Sequence, residues 1–100
     1  MPGMTLNEYQ TLIRDIYFDK DAKRGLARTF GWLVEEIGEL SRAIRKQDKD
    51  AVREELADCI AWLLSVASIL EVDAESAMKK YQNGCPKCHK KPCVCEEKSP

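Results

Sequence analysis

Between Cys59 and Leu70 the chain reads CIAWLLSVASIL, twelve residues without a charge. The run is too short to cross a bilayer. It is long enough for three turns of a helix that is apolar nearly all round, and such a helix is buried on most sides. A chain of 100 residues forms one domain with one modest core, so it has few elements available to surround that segment. A second subunit is therefore expected to supply the missing cover. No 18-residue uncharged run exists anywhere else, so no membrane association is expected.

The flanking sequence supplies the other helices. Thr5 followed by Glu8 has capping-box spacing, and Leu6, Tyr9, Ile13 and Ile16 then share one face, which predicts a first helix over about residues 5–19. The charged stretch DKDAKRG is read as its end, with Gly25 as a break. Phe30, Leu33, Val34, Ile37, Leu40 and Ile44 recur at i, i+3, i+4 spacing and predict a second helix over about 26–46. KQDKD is a short polar turn, with Asp48 or Asp50 placed to cap a third helix over about 50–70. Asp73 caps a fourth helix expected to run to about Asn83, and Gly84 stops it. No repeat and no strand-like alternation is present, so the class is all-α: a helical domain over 1–84 and a separate cysteine tail over 85–100. The net charge of −1 argues against a protein built around a basic nucleic-acid footprint. The opening MPGMTLNEYQ lacks the layout of a signal peptide, so a cytoplasmic protein is expected.

The second and third helices carry acids among their apolar residues: Glu35, Glu36 and Glu39 in EEIGE, Glu55 and Asp58 in ELAD. Glu36 and Glu39 lie three apart, as do Glu55 and Asp58, so each pair projects from one side of its helix. Folding the helices back on each other by reflection through Gln47 sets Glu36 level with Asp58 and Glu39 level with Glu55. Solvated helix faces also collect glutamate, and 33% of residues are charged, with Arg42, Arg45, Lys46 and Arg53 near enough to pair with these acids. The register match and the apolar surroundings favour convergence instead. Converging carboxylates need protons or cations. Oxygen-only donors select Mg²⁺ or Mn²⁺ over Zn²⁺, and Mg²⁺ is commonly shared with substrate phosphates.

EEIGE, then fifteen residues, then ELAD resembles the EExxE…ExxD signature of MazG-like nucleotide pyrophosphohydrolases, within the all-α NTP pyrophosphatase superfamily. The likeness runs over roughly residues 6–83. It implies a helical bundle completed by oligomerisation, as a homodimer or homotetramer. The activity implied is Mg²⁺-dependent cleavage of nucleoside triphosphates to monophosphate and pyrophosphate. By the resemblance Glu36, Glu39, Glu55 and Asp58 would hold Mg²⁺, and Glu35 would bind a further ion or orient the attacking water. Cationic side chains should hold the polyphosphate, with Lys23, Arg24 and Arg28 around the start of the second helix and Lys79 and Lys80 on the fourth, where Asn83 is close by. Arg24, Lys80 and Asn83 are taken as the substrate-binding candidates. Trp32 and Trp62 stack on a base or pack in the core, and Cys59 reads as a small buried hydrophobe.

The tail CPKCHKKPCVC is C-x2-C-x4-C-x-C. Four thiolates at this spacing can satisfy tetrahedral Zn²⁺, so Cys85, Cys88, Cys93 and Cys95 are read as the ligands of a structural zinc in preference to disulfides or an unliganded tail. His89 could replace one of them, although its place directly after Cys88 favours the four-cysteine set. Lys87, Lys90 and Lys91 would offset the thiolate charge. Two other functions compete with the pyrophosphohydrolase reading. One is a non-catalytic zinc-tailed module binding RNA or protein, although nucleic acid is the less expected partner. The other is a phosphoribosyl-ATP pyrophosphohydrolase.

Overall fold

The computed structural model describes residues 3–97. The ends of the two expected domains, residues 1–2 and 98–100, lie outside that range. Four helices follow in order: α1 Leu6–Arg24, α2 Leu26–Arg45, α3 Lys49–Ile69 and the short α4 Ala74–Ala77, continued by one 3₁₀ turn at Met78–Tyr81. No strand occurs among the described residues. None of the helices is long and apolar enough to cross a membrane.

α3 is the central element, packed most extensively on α2 and next on α1. The α2–α3 turn forms where the polar KQDKD segment lies. Gln47 takes a left-handed φ of 55°, and the Asp48 side chain caps α3 by accepting from the amides of Asp50 and Ala51, both at 3.1 Å. At the start of α1, Thr5 and Glu8 form the reciprocal box, with bonds of 3.0 and 2.9 Å.

Two boundaries differ from expectation. α1 runs to Arg24 rather than ending near residue 19. Its charged end is held from within: Asp21 is buried and accepts from Arg24 Nη1 at 2.7 Å, and Lys23 and Arg24 oppose the negative end of the helix dipole. Gly25, at φ +86°, then ends it. The fourth helix is the reverse case, closing as α-helix at Ala77 and as a 3₁₀ turn at Tyr81. Nothing in it is buried, and a helix so short has no stability without packing.

Ile13, Leu33, Ala43 and Leu64 are the buried apolar residues. Gln10 joins the bottom of α1 to the far end of α3: its Nε2 donates to Ser68 Oγ and the Val72 carbonyl, and its Oε1 accepts from the Ala74 amide. The apolar face expected on α2 is divided. Leu33 and Leu40 turn inward, whereas Phe30, Val34, Ile37 and Ile44 are exposed. Leu56, Ile60 and Leu63 on α3 and Leu70 at its C-cap are exposed too, so the uncharged segment from Cys59 is only partly covered within one chain. A face that wide subtends more of a helix than one neighbour can cover.

Candidate metal centre and adjoining pocket

The inward side of α2 is a line of residues at alternating spacings of four and three: Thr29, Leu33, Glu36, Leu40 and Ala43. Glu36 therefore occupies a core position rather than a surface one. Across from it, α3 presents Glu55 and Asp58. One carboxylate oxygen from each of Glu36, Glu55 and Asp58 lies within 4.8 Å of the others, a grouping that can hold a metal ion. Glu36 and Glu55 are half-buried and Asp58 is exposed.

The electrostatics follow from that crowding. The Glu36 carboxyl is held above its ordinary range, first by burial, then by the abutting Glu55 carboxyl and by the charges of Asp58, Glu55 and Glu39. Glu55 Oε2, within this group, is buried with no hydrogen-bond partner among the described residues. A proton on Glu36 or a cation between the acids resolves the conflict, and an all-oxygen donor set suits a hard cation. Cys59, the next residue after Asp58, is half-buried, and its thiol is pushed up by burial and by the same three carboxylates. It stays a protonated small hydrophobe.

Glu39 and Glu35 do not join the cluster; both are exposed. Equal level across a hairpin fixes height but not azimuth. At about 100° per residue, Glu39 is displaced roughly 60° around α2 from Glu36, and Glu35 roughly 100°. Glu36 alone of the three sits on the inward line. Lys80 and Asn83 are exposed on and beyond the 3₁₀ turn, and neither lines a pocket beside the acids.

Arg24 does reach the site, but its charge is engaged. Its guanidinium donates to Asp21 and, at 3.3 Å, to the fully buried Thr29 hydroxyl, and it lies 4.9 Å over the Trp62 ring. Trp62 in turn stacks on Trp32, with centroids 6.3 Å apart at 19°. Beside these groups is a cavity of about 240 Å³ that reaches Asp58; Tyr17, Lys20 and Trp62 line it with Asp21 and Arg24. Tyr17 and Lys20 were not among the expected site residues. Their signal is the 17, 20, 24 spacing on α1, which a helix ending near residue 19 does not contain.

In the tail, one sulfur from each of Cys85, Cys88, Cys93 and Cys95 lies within 4.8 Å of the rest. The Cys85–Cys95 and Cys88–Cys93 sulfurs are 3.8 and 4.0 Å apart. Ligands at about 2.3 Å around a tetrahedral ion stand about 3.8 Å apart, so the set is dimensioned for one. His89 is outside it. The backbone N–H groups of Cys88 and Lys87 draw the Cys85 thiol down to about 6, while the Cys93 and Cys85 sulfurs push Cys95 up to about 12. Four adjoining thiols cannot all ionise unless a cation offsets the charge. Gly84 permits the loop to close. At φ +93° a Cβ there would stand 2.8 Å from the Lys90 carbonyl oxygen, which accepts from the Cys85 amide.

Fold and centre together define an all-helical protein whose central hairpin gathers carboxylates fit for a hard cation. The model of the MazG nucleotide pyrophosphohydrolase domain matches residues 24–89, and the chain belongs to that family. The match takes in α2, α3 and the first two tail cysteines, and leaves out nearly all of α1. Comparison with curated proteins gives no match. The family consists of nucleotide pyrophosphohydrolases, hydrolases that act on phosphoanhydride bonds.

Proposed function

We propose that the protein is a Mg²⁺-dependent nucleoside triphosphate pyrophosphohydrolase, adding water across one phosphoanhydride bond to give a nucleoside monophosphate and pyrophosphate. The observation that carries this reading is the convergence of Glu36, Glu55 and Asp58 with Glu55 Oε2 buried and unpartnered. Bound there, Mg²⁺ or Mn²⁺ would polarise the phosphoryl group and lower the pKa of a coordinated water. Glu36, Glu55 and Asp58 would hold the ion, with Glu39 as a fourth ligand one turn further along α2. Glu35 is assigned the orientation of the attacking water. The test is a panel of NTPs and dNTPs with pyrophosphate and orthophosphate resolved. Pyrophosphate release with Mg²⁺, abolished by EDTA, is expected; no release, or orthophosphate alone, contradicts the reading. An unchanged rate in Glu39→Ala would remove Glu39 from the ligand set.

The cysteine tail over 85–100 is proposed to hold a structural Zn²⁺, because its four sulfurs lie within 4.8 Å of one another with two pairs at 3.8 and 4.0 Å. Thiol ligands of this kind persist in a reducing cytosol. The helical domain is proposed to assemble as a homodimer or larger homo-oligomer. Phe30, Val34, Ile37 and Ile44 on α2, with Leu56, Ile60 and Leu63 on α3 and Leu70 at its C-cap, are 38–56% exposed, and large exposed apolar patches mark interfaces. Because Leu63 is exposed in the single chain, Leu63→Glu spares the fold but should break the assembly. Sedimentation is expected to give at least twice the chain mass for the parent and a lower mass for the variant. A monomeric parent contradicts this.

A further inference from the structure

The cavity beside Asp58 is bounded by four charged side chains, and their commitments differ. Resting on the pyrophosphohydrolase reading, we propose that Lys20 is the side chain that binds the phosphate chain of the substrate. Arg24, the other cation of the cavity, is neutralised by buried Asp21, bonded to Thr29 and laid over Trp62. It braces one wall of the cavity instead of offering a free charge. Asp58 belongs to the carboxylate cluster. That leaves Lys20, which is exposed and has no ion-pair partner among the described residues.

Its position suits the task. Lys20 lies one turn after Tyr17 and one turn before Arg24 on α1, and it shares the cavity with Asp58, the exposed acid of the cluster. A polyphosphate held by a cation at the carboxylates has further negative oxygens that require a second positive partner. A lysine on a flexible four-carbon stem meets such oxygens as a point charge without a fixed geometry. Of the cations expected from the sequence, Lys23, Arg28 and Lys80 do not line this cavity. The contact is to phosphate, so it is indifferent to the base.

Lys20→Met in the full chain tests this. With Mg²⁺ present, KM should rise about tenfold or more for every triphosphate hydrolysed, with kcat little changed, as for loss of a charge-assisted contact made equally in ground and transition states. Lys20→Arg should restore most of the loss. Trp62 lines the cavity, so tryptophan fluorescence reports occupancy without turnover. Titration with an α,β-methylene nucleoside triphosphate and with inorganic tripolyphosphate should show the same weakening for both. Melting temperature and Mn²⁺ affinity without nucleotide should stay at the parent values. KM and Kd within twofold of the parent would overturn the proposal, as would weakening for the nucleotide analogue but not for tripolyphosphate. A parent that binds both ligands through Lys20 yet releases no pyrophosphate sinks the function while leaving Lys20 assigned. A parent that binds neither sinks both.

Discussion

Glu36→Gln is expected to reduce pyrophosphate release by on the order of a thousandfold while making the metal-free protein more stable. Both effects have one cause. Glu36 stands on the inward line of α2, against Glu55 and Asp58, where its charge is useful only with a cation present. Its folded pKa is raised, so between the ordinary glutamate value and the folded value the native state holds more protons than the unfolded state. The associated stability is complete below the ordinary value and is lost as pH rises through the folded one. Above that window the ionised acid works against the fold. Glutamine keeps the shape, removes the charge and can donate to Glu55. In metal-free buffer at neutral pH the variant should melt higher by roughly 2–5 °C, the scale on which fractions of a kcal/mol act in a domain this size. Its melting temperature should lose part of the parent's decline with rising pH. Mg²⁺ should stabilise the parent and leave the variant nearly unmoved. A variant that remains active, or that melts lower, contradicts the placement of Glu36 at the centre.

Cys88→Ser is the second large effect. Purified protein should carry one Zn²⁺ per chain by elemental analysis. The substitution should weaken zinc binding more than about 100-fold, because even losing an outer partner of a metal ligand costs 10- to 100-fold. The four sulfurs close a loop over residues 85–95, and Cys88 faces Cys93 across it. Removing one sulfur also leaves three thiols that no longer match a tetrahedral ion. Helical circular dichroism should stay close to the parent signal, since α1 to α3 hold the core without the tail. Nucleotide hydrolysis should change less than twofold, because no tail residue among the described ones lines the cavity beside Asp58. Zinc-free parent protein, or a variant that keeps its zinc, contradicts the tail assignment.

The central hairpin was legible because both helices are long and periodic and the turn between them is all polar. That was enough to set Glu36, Glu55 and Asp58 at one level. The reflection through Gln47 carries no information about rotation around α2, which sets Glu39 to one side of the three gathered acids. The end of α1 was misread for a different reason. Charged residues at a helix end look like solvent-exposed turn, and nothing in the local sequence reveals that Asp21 is buried or that Arg24 lies over Trp62 of α3. With α1 continued to Arg24, Lys20 stands on the wall of the cavity instead of in a linker. The fourth helix was over-extended because Asp73 gives a sound start signal while packing, which is tertiary, decides how far the helix continues. The cysteine cluster was legible from spacing alone, because metal geometry leaves few alternatives for four sulfurs within eleven residues.

What leaves the substrate decides whether the protein is a pyrophosphohydrolase. A ³¹P NMR time course of the full-length protein with a nucleoside triphosphate and Mg²⁺ shows every phosphorus species at once. Equal growth of nucleoside monophosphate and pyrophosphate, absent in Glu36→Gln, is the predicted result. Growth of nucleoside diphosphate and orthophosphate, or an unchanged triphosphate spectrum across the panel of bases and sugars, would contradict it.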